Sequence, residues 1–468
     1  MGTTAEFARF ICDVGFEDLP KEAISKTKEL FLDTIGVSLL GSSEVSGKIA
    51  IEYARDVGGN PEASIFTAGF GTSAPMAAFT NGLLAHNLDY DDWVPTGEEK
   101  DNWPRNGGHV SGVLVPVALA LGEKFGVTGK AMIEAYVLGV EVYAKIAANC
   151  PNLRERGWHS MPVYGCMAAV ATAAKLLALD ARQIEMAFGI VASAAAGLFV
   201  NVRGYMANPF HSGNAARAGV EATLLARRGF TGHEGIIETP KGFCDSFLGK
   251  GVSNLDNMSR NLGKPFYMTS PGPGIKPYPC AWPTFYAIDG VLELVKEHNI
   301  GYEDVQVVEI SVSPYHYSGT ESMHKPEPVS GYDARFSTNF ACGNVILKGA
   351  LDIDDFTDSN VRDAKVKEAV GKVKLIVDQT RAEESGVFFA PVLIKLKDGR
   401  EFNKRVDICR GHPRNPLTND ELLGKYRRNA GRALSQEQIG SSIQMMEHLE
   451  ELENAQKLMS IVAPRATG

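Results

Sequence analysis

Histidines and aspartates with spacings suited to proton chemistry stand out first. The segment Ala85-His86-Asn87-Leu88-Asp89-Tyr90-Asp91-Asp92 contains a histidine and three carboxylates. His86 lies three residues before Asp89 and four before Tyr90, so a helix here would put them on one face. Downstream, Gly107-Gly108-His109-Val110-Ser111-Gly112 opens an apolar stretch over 113–121. An aspartate beside such a histidine can orient the imidazole and tune its pKa, which suits it to acid–base work. The acidic cluster and His109 are therefore candidates for a hydrogen-bonded Asp–His pair. Plain roles are also open to these residues: Asp91 and Asp92 as solvated turn residues, His109 as a helix cap.

Two further segments place a histidine beside Gly or Pro at a helix entry. They are Gly157-Trp158-His159-Ser160-Met161-Pro162 and the run from Arg203 through Asn208 and His211 to Ala216. Helix N-termini favour anions, so entries at His109, His159 and His211 could converge on a carboxylate. For any one of them, a structural histidine is the simpler role. No HxH or HExxH spacing supports a metal, and neither a Walker A sequence nor a GxSxG elbow occurs. The short Gly69-Phe70-Gly71 pair lacks the strand–helix context of a dinucleotide site.

The elements that must position these groups read as mostly helical. Helical spacing of apolar residues marks 22–40, 130–150, 167–179, 184–200 and 214–228. The Pro- and Gly-rich run 270–279 breaks this pattern and reads as a crossover or hinge. One helix follows at 283–298. Strands are predicted at 305–313 and 373–377, and a hairpin at 392–408 turns on Asp398-Gly399. Capping-box pairs Thr418/Glu421 and Ser435/Gln438 then begin C-terminal helices. The expected fold is mainly α. It has a large helical domain (1–268, completed by 410–468) and a smaller α+β lid domain (269–409). Met445, Met446 and Met459 are read as packing residues.

Length and composition agree. The chain has 468 residues, 44% hydrophobic and 22% charged, enough for two or three domains. A net charge of −9 argues against general binding to nucleic acid or acidic membranes. Seven scattered cysteines, without a CxxC pair, suggest free thiols in the cytoplasm. Apolar windows stop well short of the ~20 residues of a membrane span, and no signal peptide is read at the N-terminus.

Taken together, the blocks resemble the MmgE/PrpD family, whose members include 2-methylcitrate dehydratase, cis-aconitate decarboxylase and an iminodisuccinate epimerase. HNLDYDD followed by GGHVSG is similar to the family's H-x-L/M-D-F/Y-D-D…H-P-S-G signature. GWHSMPVYG, then ANPFHSGNAARAGVEATLLARRGFTG with its trailing Gly242-Phe243, match further blocks in order. So do IKPYPC (275–280), DARFSTNFACGNVILKG (333–349) and NPLTNDELLGKY (415–426). The blocks span nearly the whole chain. The resemblance implies a site between a helical domain and a lid, a homodimer, and chemistry without a metal or organic cofactor. A proton or CO₂ would leave a carbon beside a carboxylate. It carries active-site roles to Asp89, His109, His159 and Lys276; Lys276, Arg203, Asn208, His211 and Trp93 are the expected substrate contacts.

Departures from the family pattern narrow the expectation. Asn208 stands where many relatives have a lysine, Trp93 where a threonine is common, and Ala281 and Phe285 where histidines align. The loop between Trp93 and Gly108 is longer, and its Lys100 and Arg105 could replace the missing cation; a surface excursion is the plainer reading. The expected activity is a cofactor-independent lyase on a small organic acid less charged or bulkier than 2-methylcitrate or cis-aconitate. A dicarboxylate epimerase and a non-catalytic carboxylate binder are the alternatives.

Overall fold

The computed structural model describes residues 2–95, 107–318, 322–381 and 389–465. It is mainly α, with one small mixed sheet. The larger apolar core is built by helices Lys21–Gly41, Ala74–His86, Ser111–Phe125, Gly129–Asn149, Ser160–Leu176 and Ala207–Arg227. The C-terminal helices Asn419–Ala430, Gln436–Glu447 and Ala455–Val462 return to the same core through Leu422, Tyr426, Ile439, Met446 and Met459. Both predicted capping boxes are formed, Thr418 with Glu421 and Ser435 with Gln438.

Small residues let these helices approach closely. A Cβ on Gly213 would lie 2.2 Å from the Phe79 carbonyl oxygen, and one on Gly219 2.3 Å from the Ala169 side chain. No room remains there for a larger side chain, so helix Ala207–Arg227 sits flush on Ala74–His86 and Ser160–Leu176. Among the described residues, no helix is long and apolar enough to cross a membrane.

A second core gathers around a four-stranded sheet. Val373–Val377 pairs parallel with Val305–Val312, which pairs antiparallel with Ala390–Leu396, and that strand pairs antiparallel with Glu401–Val406. Residues of Ala390–Leu396 alternate between buried and half-buried, as a strand with one face on a core requires. Gly399 takes φ 89° in the predicted hairpin turn. Helices Phe285–Glu297 and Thr338–Lys348 cover the sheet.

Two sequence expectations need correction. The helix expected over 184–200 spans only Ala181–Val191. The Ala-rich run after it favours helix locally, but Gly197 (φ 152°) instead accepts a hydrogen bond from the His159 backbone N–H at 2.9 Å, and Leu198 bridges to Trp158. The tertiary pairing outweighs local propensity and fixes the His159 entry. The helix expected from 214 begins at Ala207, because Pro209 falls in its first turn, where a missing N–H costs nothing.

Candidate active site

Helix Ala74–His86 ends at His86, so His86 and Asp89 do not share a helical face as the spacing suggested. Asp89 instead adopts a left-handed backbone, φ 51°. That turn folds three carboxylates back towards the His109 entry. Asp89, Asp91 and Asp92 are all buried rather than solvated.

Asp91 pairs with His86. The His86 Nδ1 lies 3.0 Å from both Asp91 oxygens, and the His86 ring centroid is 4.7 Å from that of His109. Burial alone would depress His86, but Asp91 outweighs it and holds the imidazole above its ordinary range. Burial likewise pushes Asp91 up, and His86 and His109 more than reverse this.

Asp89 has a different partner. Lys276 is fully buried and donates from Nζ to the Asp89 carboxylate at 2.8 Å and to the Asp89 carbonyl at 2.7 Å. Against the upward push of burial, Lys276, His109 and His86 hold the Asp89 carboxyl below its ordinary range.

His109 stands between these pairs. Its Nδ1 contacts the Asp92 carbonyl oxygen, which can only accept, so Nδ1 carries the proton. Its Nε2 is 3.5 Å from Asp89 Oδ1, and Nδ1 is 3.6 Å from Asp91 Oδ1. Burial, with Lys276 and His86 nearby, pulls His109 down to about 4. The ring is therefore neutral near pH 7, with a basic lone pair on Nε2. Asp92 accepts from the Ser111 backbone N–H at 3.0 Å, and burial together with Asp91 pushes its carboxyl up to about 8. Near pH 7 His109 is thus neutral and Asp92 protonated, beside the Asp89 and Asp91 carboxyls held below their ordinary range and the His86 imidazole held above its own.

One atom each from His86, Asp89, Asp91 and His109 lies within 4.8 Å of the others, a spacing that would suit a small cation. Lys276 already supplies the cation at Asp89, and His86 the one at Asp91. The donor set is therefore an internally compensated ion-pair network.

A second histidine pair adjoins the first. His159 precedes helix Ser160–Leu176, and its Nδ1 is 3.0 Å from His211 Nδ1, so one ring must donate and the other accept. Burial, reinforced by His211, holds His159 well below its ordinary range, and burial with His86 holds His211 at about 4.

A small cluster around Ala281, Met323 and Phe336, with Tyr332 packed against it, lies on the facing side. Tyr332 accepts at its hydroxyl from Asn208 Nδ2 at 3.2 Å. Arg203 donates to the Ser322 carbonyl at 2.8 Å and lies 5.9 Å from the Phe336 ring centroid. Buried Arg335 donates to the Asn87 carbonyl at 3.3 Å. Trp93, expected to meet substrate, is buried and stacks on Trp282 at 5.4 Å, nearly parallel at 6°, with His412 against its edge. Its backbone pairs in both directions with Gly274. Packing between the two cores thus occupies its indole. Lys100 and Arg105 lie outside the described residues.

The structure therefore brings Asp89, His109, Lys276, His159 and His211 to one buried region, with Asn208 and Arg203 bridging to the lid side. Sequence reasoning missed the His86–Asp91 pairing, the Asp92 carbonyl as the group orienting His109, and Tyr332. His86 and Asp91 were visible in the acidic cluster itself, and Tyr332 immediately precedes one of the recognised blocks.

A helical core is joined to an α+β unit, and a buried histidine–carboxylate–lysine cluster lies between them. The comparisons place the chain more narrowly. The MmgE/PrpD N-terminal domain matches residues 5–255, and the MmgE/PrpD C-terminal domain matches residues 278–451. The chain belongs to the MmgE/PrpD family. Over 98% of its length it is 26% identical to cis-aconitate decarboxylase of Homo sapiens, covering 94% of that protein, and 27% identical to that of Mus musculus, covering 93%. A cis-aconitate decarboxylase of Aspergillus terreus is 22% identical over 98% of the chain and 96% of its own length.

Proposed function

We propose that this protein is a lyase, of dehydratase or decarboxylase type, that moves a proton on a carbon beside a carboxylate of a small organic acid. The observation that carries this reading is the state of His109. Its Nδ1–H is committed to the Asp92 carbonyl, its Nε2 is unprotonated, and carboxylates stand 3.5 and 3.6 Å away. Proton uptake at Nε2 would turn a neutral ring into an imidazolium between Asp89 and Asp91. Those carboxylates would favour the charged ring more than the neutral one, so their effect would grow as the proton moves.

In this reading Asp89 and His109 are catalytic, with His159 as the second proton-transfer group. Arg203, Asn208 and His211 receive the substrate carboxylates, and Lys276 acts through Asp89. No step draws on a metal or organic cofactor. Asn208 offers an amide rather than an ammonium, which supports a substrate with fewer carboxylates than cis-aconitate, the acid named in its relatives. His109 and His159 also suit a two-base epimerase in which one neutral ring takes the proton and the other, entering as the imidazolium, returns one to the opposite face.

The domain boundaries 1–268 with 410–468, and 269–409, are supported by the two separate cores. Self-association as a homodimer is supported by an apolar face. Val45, Ile49, Tyr53 and Val57 recur every fourth residue on helix Val45–Val57 and are each at least half exposed. The cysteines, free and mostly buried, suit a cytoplasmic setting.

The test is a screen of di- and tricarboxylates by NMR in D₂O, which reads elimination, CO₂ loss and α-carbon exchange together. Turnover in the wild type and at least about a hundredfold loss in His109→Asn are expected. Exchange without net elimination would favour the epimerase. Undiminished turnover in His109→Asn would overturn the assignment.

A further inference from the structure

The C-terminal helices contribute nothing to the histidine cluster directly, yet one of their side chains reaches the backbone beneath it. Lys425 lies on helix Asn419–Ala430 and is 2% exposed. Lys425 Nζ donates to two backbone carbonyls and has one carboxylate oxygen beside it as an ion-pair contact. The contacts are Asp33 Oδ1 at 2.6 Å, the Tyr90 carbonyl at 2.9 Å and the Lys276 carbonyl at 2.9 Å. Asp33, also buried, comes from the middle of helix Lys21–Gly41.

The two carbonyls belong to the segments that matter. Tyr90 follows Asp89, and Lys276 is the partner of Asp89. The same segments are joined by Lys276 Nζ to the Asp89 carbonyl and carboxylate, and by the Tyr90 hydroxyl to the Pro277 carbonyl at 3.2 Å. Asp89 also holds a left-handed backbone, which a side-chain-bearing residue keeps only when its surroundings enforce it.

We propose that Lys425, with Asp33 as its counter-ion, is a positioning residue that clamps the Asp89 and Lys276 segments together and so sets where Lys276 stands relative to His109. A simple ion pair between two helices would be an expensive way to fill this space, since buried charges lose their hydration and apolar residues of similar volume often serve as well. The two carbonyl contacts give the lysine a use that an apolar residue cannot supply. The kinetic side of this inference rests on the lyase reading; the geometric side does not.

Three proteins test it: Asp33→Asn, Lys425→Met, and the double variant Asp33→Asn/Lys425→Met. Each single variant leaves its buried partner without a counter-ion and is expected to be less stable than the wild type, so titrations are read on protein shown to be folded. The double variant removes both charges and is the decisive one. The Hε1 resonance of His109, assigned by its loss in His109→Asn, is followed against pH in histidine-labelled protein. Asp33→Asn keeps both carbonyl bonds and should titrate like the wild type. In the double variant Lys276 is released, and the His109 midpoint should rise by about half a pH unit or more, because a cation that disfavours the imidazolium has moved away. On a carboxylate turned over by the wild type, the double variant should lose about tenfold or more in kcat with KM nearly unchanged, as for a group that aligns catalysis without binding substrate. A folded double variant whose His109 titrates like the wild type would overturn the proposal. So would equal shifts in Asp33→Asn and the double variant, which would reduce Lys425 to an ordinary salt bridge. If no carboxylate is turned over, the lyase reading fails while the His109 titration still decides the clamp.

Discussion

Replacing Lys276 with methionine should destabilise the protein in a pH-dependent way whose sign is fixed by the site. Lys276 is fully buried, and its Nζ is 2.8 Å from Asp89 Oδ1. Removing one member of a buried pair costs about 3–5 kcal/mol, because the remaining charge is left without compensation. In the wild type the Asp89 carboxyl is held low, so its stabilising contribution is present above the unfolded value of about 3.9 and is lost as pH falls through the lower folded value. In Lys276→Met, burial is opposed only by the histidines, so the Asp89 carboxyl rises and His109 becomes easier to protonate. The site then binds a proton that the wild type does not. Whichever group takes it, stability relative to the wild type improves as pH falls, by at most about 1.4 kcal/mol per pH unit. The expected result is a urea midpoint far below the wild type at pH 8, with the gap narrowing steadily towards pH 5. Tryptophan fluorescence is a suitable probe, because the Trp93–Trp282 stack lies at the junction of the two cores. A gap that is constant across this range would refute the ion-pair account of Lys276.

Other perturbations follow from the same geometry. Asp92→Asn replaces a carboxyl held at about 8 by burial and Asp91. That raised value contributes stability below about pH 4 which is lost as pH rises towards 8, so the variant should flatten this part of the wild-type urea-midpoint curve. His211 is held at about 4 by burial and His86, so it resists protonation while the unfolded chain takes a proton near 6.5. His211→Gln should therefore reduce acid destabilisation between about pH 6.5 and 4, by up to roughly 1.4 kcal/mol per pH unit, measured by the same melts. Gly274→Ala would place a Cβ 2.4 Å from Trp93 Cε2 and 2.7 Å from the Gly411 carbonyl oxygen. It should cost about 1–3 kcal/mol in calorimetry, as overpacking does, and perturb the Trp93 fluorescence.

Much of the architecture was legible because it rests on local patterns. The 3.6-residue spacing in 22–40 and 130–150, the Asp398-Gly399 turn and the two capping boxes each reflect interactions between near neighbours. Where local and tertiary preferences diverged, the pattern misled: the run 192–197 favours helix by composition, but the Gly197 carbonyl is needed by the His159 N–H. The same distinction runs through the site. The acidic cluster and His109 could be picked out from residue type and spacing, and Asp89 within the cluster from the family resemblance. The group that orients His109 could not, because it is the backbone carbonyl of Asp92, and every residue has one. Lys425 and Asp33 were equally hidden, being separated by hundreds of residues and each placed on an unremarkable helix.

The buried charges also bear on what the site can do. Asp89 and Asp91 flank the two nitrogens of His109 at 3.5 and 3.6 Å, yet neither has the hydrogen-bonding geometry that would protonate the ring in the resting state. Lys276 and His86 offset those carboxylates first, and the neutral imidazole persists. A stronger resting contact between Asp89 and Nε2 would raise the ring's pKa and remove the lone pair that the proposed proton abstraction would use. A site without the carboxylates would leave the imidazolium, once formed, in an apolar interior. The arrangement lies between these limits. In the proposed reaction Nε2 would be free to take a proton, and the imidazolium formed would have carboxylates 3.5 and 3.6 Å away.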